Sequence, residues 1–143
     1  MIPPDAEPAL SSTLPSSPQV QLLQTDEFSQ YLLHSKGEML PIFRRLAEHA
    51  SQIIMIFNEG RDIVLTSVME SGPSGLILEY GADAAMNRKA LLASKLFCDT
   101  QLDKVKIQFI VSGLTSVDYK GRPAFRAALP ESLLRLQRRE SYR

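Results

Sequence analysis

The chain has 143 residues, 44% of them hydrophobic and 22% charged, with 16 Lys+Arg against 16 Asp+Glu; that is the make-up of one domain able to bury a core, and it excludes a disordered or broadly polybasic chain. The single cysteine, Cys98, excludes an intramolecular disulfide and a thiolate metal site and fits a reducing compartment, so a cytoplasmic protein is expected. No segment is long and apolar enough to cross a bilayer, and "MIPPDAEPALSSTLPSSPQ" has neither the basic start nor the apolar run of a signal peptide, so neither membrane insertion nor export is expected.

In chain order, the first 19 residues hold five of the nine prolines and four serines, too few apolar groups to offset the entropy of ordering, so residues 1–20 are expected to form a disordered tail. A short helix is expected over Thr25–Leu33, with Asp26 and Glu27 in its first turn and Phe28, Tyr31 and Leu32 at helical spacing. In "SKGEMLPIFRRLAEHA", Met39, Ile42, Phe43, Leu46, Ala47 and Ala50 recur at three- and four-residue steps, the mark of an amphipathic helix. Two starts compete. Ser35 and Glu38 have capping-box spacing, whereas a start near Leu40 would put Pro41 at the first helical position.

Beyond that helix the hydrophobic period falls to two. "QIIMIF" (52–57), the polar "NEGRD" and "IVLTSVM" (63–69) read as a hairpin, and "SGPSG" (71–75) as a turn leading into "LILEY". "ADAAMNRKALL" (82–92) reads as a short helix. In "KVKIQFIV", Val105, Ile107, Phe109 and Val111 alternate with Lys104, Lys106 and Gln108, predicting an antiparallel strand with one wet face. "LTSVDYKGRPAFRAALP" reads as two strands around Lys120-Gly121, and Leu133, Leu134 and Leu136 as a last turn or two of helix. Six or so short antiparallel strands with a leading helix predict a mainly β (α+β) fold, a small, strongly curved sheet or barrel carrying one or two short helices.

The chemistry is concentrated at the carboxyl end. From residue 119 onward there are seven basic side chains against two acidic ones, leaving nine against fourteen in the rest of the chain; such asymmetry points to an anionic partner. His34 and His49 have no acidic or thiol partner at ligand spacing, "SGPSG" lacks the order of a nucleophile elbow, and no phosphate-loop motif occurs. Nothing in this set looks catalytic, so no enzymatic activity and no cofactor are expected. R-x-x-x-R occurs three times, as Arg122/Arg126, Arg135/Arg139 and Arg139/Arg143, and its plain reading is a solvated helix face. Arginine adds a planar fork that binds phosphate bidentately and stacks on a purine.

The closing "LPESLLRLQRRESYR", together with "FNEGRDIVLTSV", "GLILEYG", "MNRKALLASKLFC", "KVKIQF" and "GRPAFRAALP", resembles flagellar brake proteins of the YcgR family over residues 35–143. The resemblance implies that residues 21–136 are the N-terminal YcgR (PilZN) domain, a small split β-barrel. It also implies that residues 137–143 are an interdomain linker leading into a PilZ domain that binds cyclic di-GMP. By the same resemblance Arg139 and Arg143 match the two motif arginines, with Arg138 beside them, and would hold phosphates and guanine faces; flagellar motor proteins are the implied partners and the flagellar basal body the implied place of action. The family's second ligand motif, [DN]-x-S-x-x-G, does not occur in these residues, so the chain is expected to be the N-terminal half of a longer protein. A nucleic-acid-binding module is the alternative, disfavoured by the few aromatics after Tyr119 and the neutral overall charge. A pure interaction barrel is a third reading.

Overall fold

Ser35 opens the first helix, its side chain accepting from the Glu38 N–H at 3.2 Å while its hydroxyl faces the Glu38 carboxylate. The computed structural model describes residues 31–136; the expected tail 1–20, residues 25–30 of the expected first helix and the linker 137–143 lie outside them. Helix α1 spans Lys36–Glu48 and carries Pro41 inside it, so of the two starts the Ser35 cap is the one adopted. Pro41 forfeits one backbone bond there. Met39, Phe43 and Leu46 form its buried stripe, and Phe43 meets Phe109 edge-on at 5.0 Å between ring centroids. Ahead of α1, Leu32–Leu33 is a two-residue strand, β1, a correction to the helix expected to run through Leu33: its backbone pairs with the last strand instead.

The strands after α1 are β2 (Ile53–Phe57), β3 (Asp62–Thr66), β4 (Val68–Gly72) and β5 (Gly75–Glu79). Helix α2 (Ala84–Leu92) follows, then β6 (Leu96–Leu102), β7 (Val105–Val111), β8 (Thr115–Tyr119), β9 (Arg122–Ala127) and β10 (Leu133–Leu136). They form two antiparallel sheets, one of six strands in the order β1-β10-β7-β6-β2-β3 and one of four in the order β4-β5-β9-β8. The fold is mainly β with two described helices, and the sheets do not close into one continuous barrel.

The expected strand over 63–69 is in fact two, broken at Ser67 so that β3 lies in one sheet and β4 in the other. A register shift between Val68 and Glu70 marks the corner, as is usual where a chain changes sheets. Leu133–Leu136, expected to be helical, is a strand. Leu133 and Leu134 are both fully buried although they point to opposite faces, so two-sided burial erased the alternation that identifies a strand. Strand β6 was not anticipated. Between the sheets Val64, Met55, Cys98, Phe109 and Leu133 fall in one register row and join Phe43, Leu76, Leu78 and Phe125 in a single core. Gln108, expected to face water, is 1% exposed; its Nε2 donates to Asp99 at 3.1 Å.

Candidate functional site

Strand β10 is where the described fold hands over to the arginine-rich segment. Its backbone runs antiparallel to β7, with Leu133 opposite Phe109, Arg135 opposite Ile107 and Leu136 opposite Lys106. Alternation puts Arg135 on the core side of the sheet, but at the sheet's end, where it is exposed. Among the described residues it makes no ion pair.

Beside Arg135 lies a cleft of about 530 Å³ between α1, the β6–β7 turn and β10. Leu33, Ile42, Leu102 and Ile107 supply apolar walls, and Glu38, Arg45, Asp103 and Arg135 supply charge. The turn that shapes it is a two-residue hairpin loop, with Asp103 at φ 53° and Lys104 at φ 68°, the left-handed pair that matches the twist of the flanking strands. Asp103 accepts from the Arg45 guanidinium and so ties α1 to the turn. Both partners are about half exposed, so solvent screens the pair and its main effect is positional. Farther along β7, Lys106 lies 3.7 Å from Asp99. Arg45 and Lys106 therefore have counter-charges, and among the described residues Arg135 has none.

Such an arrangement can hold an anion at its rim and a flat apolar group against its wall. Among the described residues no three His, Cys, Asp or Glu side chains converge on a metal position. His34 is exposed between β1 and α1, and His49 caps the end of α1. Arg138, Arg139 and Arg143, the residues the sequence singles out for ligand binding, lie outside the described residues. Arg122 and Arg126, which repeat the same spacing, sit on β9 in the other sheet, and the Arg126 guanidinium donates to the Ser74 carbonyl at 3.3 Å. Sequence reasoning missed the cleft itself, because Arg45 and Asp103 are 58 positions apart and no local pattern announces their meeting.

A family model described as "Flagellar regulator YcgR, PilZN domain" matches residues 31–135. Flagellar brake protein YcgR of Azoarcus sp. (strain BH72) is 40% identical over 127 residues, covering 87% of this chain and 49% of the relative. That of Thauera aminoaromatica is 36% identical over 137 residues, covering 94% and 52%. The chain thus spans about half the length of the curated relatives it matches. Among solved structures, YcgR from Escherichia coli in complex with c-di-GMP superposes with a TM-score of 0.75 at 25% identity, over 81% of this chain and 50% of that one. The isolated YcgR-N domain of the same protein superposes at 0.70 and 23% identity, over 76% and 96%, a likeness of fold. No helix among the described residues is long and apolar enough to cross a membrane. On the match over residues 31–135, the chain belongs to the flagellar regulator YcgR family and carries its PilZN domain.

Proposed function

We propose that the chain is the N-terminal part of a cyclic di-GMP-responsive flagellar brake, a non-enzymatic regulator that needs no cofactor and acts in the cytoplasm at the flagellar basal body. Residues 1–20 are a tail, 21–136 the PilZN domain, and 137–143 a linker into a PilZ domain. Arg138, Arg139 and Arg143 hold the phosphates and guanine faces of the dinucleotide at the junction of the two domains. Binding favours one arrangement of those domains over the other, which requires only that the ligand fit one arrangement better, and the favoured arrangement engages a flagellar motor protein.

The observation that carries this reading is the likeness to Escherichia coli YcgR, whose structure was solved with c-di-GMP. The local geometry is consistent with it. Arg139 and Arg143 follow Leu136 by three and seven residues, so the chain's maximum extension keeps Arg143 within about 25 Å of the end of β10 and its cleft. Titration calorimetry with cyclic di-GMP tests the reading. The protein that continues through a PilZ domain should bind, and residues 1–143 alone should bind weakly or not at all, because they lack the wall that fixes the ligand and excludes water. Submicromolar affinity for residues 1–143 alone would contradict it.

A further inference from the structure

The cleft between α1, the β6–β7 turn and β10 sets hydrogen-bonding groups of opposite kind on apolar walls. From α1 it is lined by Glu38, Pro41, Ile42 and Arg45, whose spacing of three and four residues puts them on one side of the helix. Arg45 is engaged with Asp103. Glu38 has capacity left: one carboxylate oxygen accepts from the Ser35 hydroxyl at 3.2 Å, and the other has no partner among the described residues. Pro41 has no N–H to give the Gly37 carbonyl one turn earlier, and Gly37 also lines the cleft. On β10, Arg135 is exposed and makes no ion pair among the described residues.

An ionised Glu38 only accepts and Arg135 only donates. Guanine is the base whose edges match that pair. Its N1–H and N2 amino group are adjacent donors that one carboxylate accepts together, and its O6 and N7 are adjacent acceptors that an arginine fork fills. Adenine presents the reverse. Its N1 is an acceptor that a carboxylate repels, and its N6 amino group is a donor that the fork repels. Leu33, Pro41 and Ile42 offer a flat ring apolar surface, and the volume of about 530 Å³ falls within the range of about 300–1,000 Å³ usual for small-molecule sites.

We propose that this cleft holds one guanine of cyclic di-GMP, with Glu38 taking the N1 and N2 edge and Arg135 the O6 and N7 edge. The PilZN domain thereby contributes base recognition and selects guanine over adenine. The proposal rests on the reading of the chain as part of a dinucleotide sensor. That reading gives the phosphates to arginines a few residues beyond β10, and the second guanine is left to those arginines and the PilZ side.

Two experiments separate the cleft from the wider reading. In residues 1–143, GMP at millimolar concentration should shift the backbone amide resonances of Gly37, Asp103 and Arg135, and AMP should leave them in place. Equal shifts from the two nucleotides, or none at these positions, would overturn the proposal. In the protein continued through a PilZ domain, Glu38→Gln and Arg135→Ala should each weaken cyclic di-GMP about tenfold in titration calorimetry, the loss of one charge-assisted contact. Glu38→Gln should also narrow the preference over cyclic di-AMP. Its melting temperature should match the parent's, because Gln serves a capping box as Glu does. Arg44→Ala, on α1 but outside the cleft, should bind as the parent does. Parental affinity in both cleft variants would overturn the guanine assignment and leave the junction arginines untouched, whereas a parent that does not bind cyclic di-GMP at all would remove the wider reading and the cleft assignment with it.

Discussion

Phe109 has the T-shaped contact with Phe43 on one side and no exposure to solvent, so truncating it leaves a cavity bounded by both a helix and a sheet. Phe109→Ala should lower stability by about 3–5 kcal/mol in chemical denaturation, and Lys106→Ala, three positions earlier on the same strand, by less than about 0.5 kcal/mol. Equal effects would mean the register of β7 is wrong. Cys98 occupies the same row. Burial pushes its thiol up, with the neighbouring Asp99 charge adding to the effect, so the nucleophilic thiolate is suppressed. The folded protein should therefore resist thiol labelling at neutral pH and react fully once unfolded, which a colorimetric disulfide reagent measures. The inward residues of β7 could be read from alternation alone, whereas Gln108 could not. A glutamine that follows Lys104 and Lys106 on the alternate face reads as solvent-facing, and nothing local in the sequence shows that Asp99 across the strand pair gives it a partner.

The elements that sequence reasoning recovered are those with a local signature. α1 has its cap and its three-four stripe, the β2–β3 hairpin its polar turn, and the β8–β9 hairpin its Lys120-Gly121 pair, both residues at positive φ. β6 and β10 were hidden for a shared reason. Each has buried or half-buried apolar groups on both faces, Phe97 beside Leu96 and Cys98 in one, Leu134 beside Leu133 in the other, and a two-sided strand shows no period. The break at Ser67 had no signal because only the second sheet's pairing reveals it. The β4–β5 hairpin gives a test at this scale. Gly75 has φ +141°, and a Cβ there would run into the Ala127 carbonyl oxygen on β9; Gly72, its cross-strand partner, has open space around it. Gly75→Ala should cost about 2 kcal/mol or more and Gly72→Ala less than about 1 kcal/mol, read from thermal or urea unfolding.

For the molecule as a whole, the order and spacing of weak segments carried the family reading, and the matched residues 31–135 coincide with the described fold. What the sequence could not supply was the placement of charge in space. Three copies of R-x-x-x-R look alike on paper, yet Arg122 and Arg126 lie on β9 in the four-stranded sheet while Arg135 lies on β10 in the other, at the strand that leads to Arg139 and Arg143. Only the copy at the junction is expected to bind the dinucleotide. Calorimetric titration of cyclic di-GMP into the protein continued through a PilZ domain tests it directly, comparing Arg139→Ala and Arg143→Ala with Arg122→Ala and Arg126→Ala. Each junction variant should lose binding or weaken it at least tenfold, since a charge-assisted contact to phosphate contributes about 1.5–3 kcal/mol, and the β9 variants should bind as the parent does. Equal losses from the Arg122 and Arg139 variants would contradict the junction assignment and point to a diffuse basic surface instead.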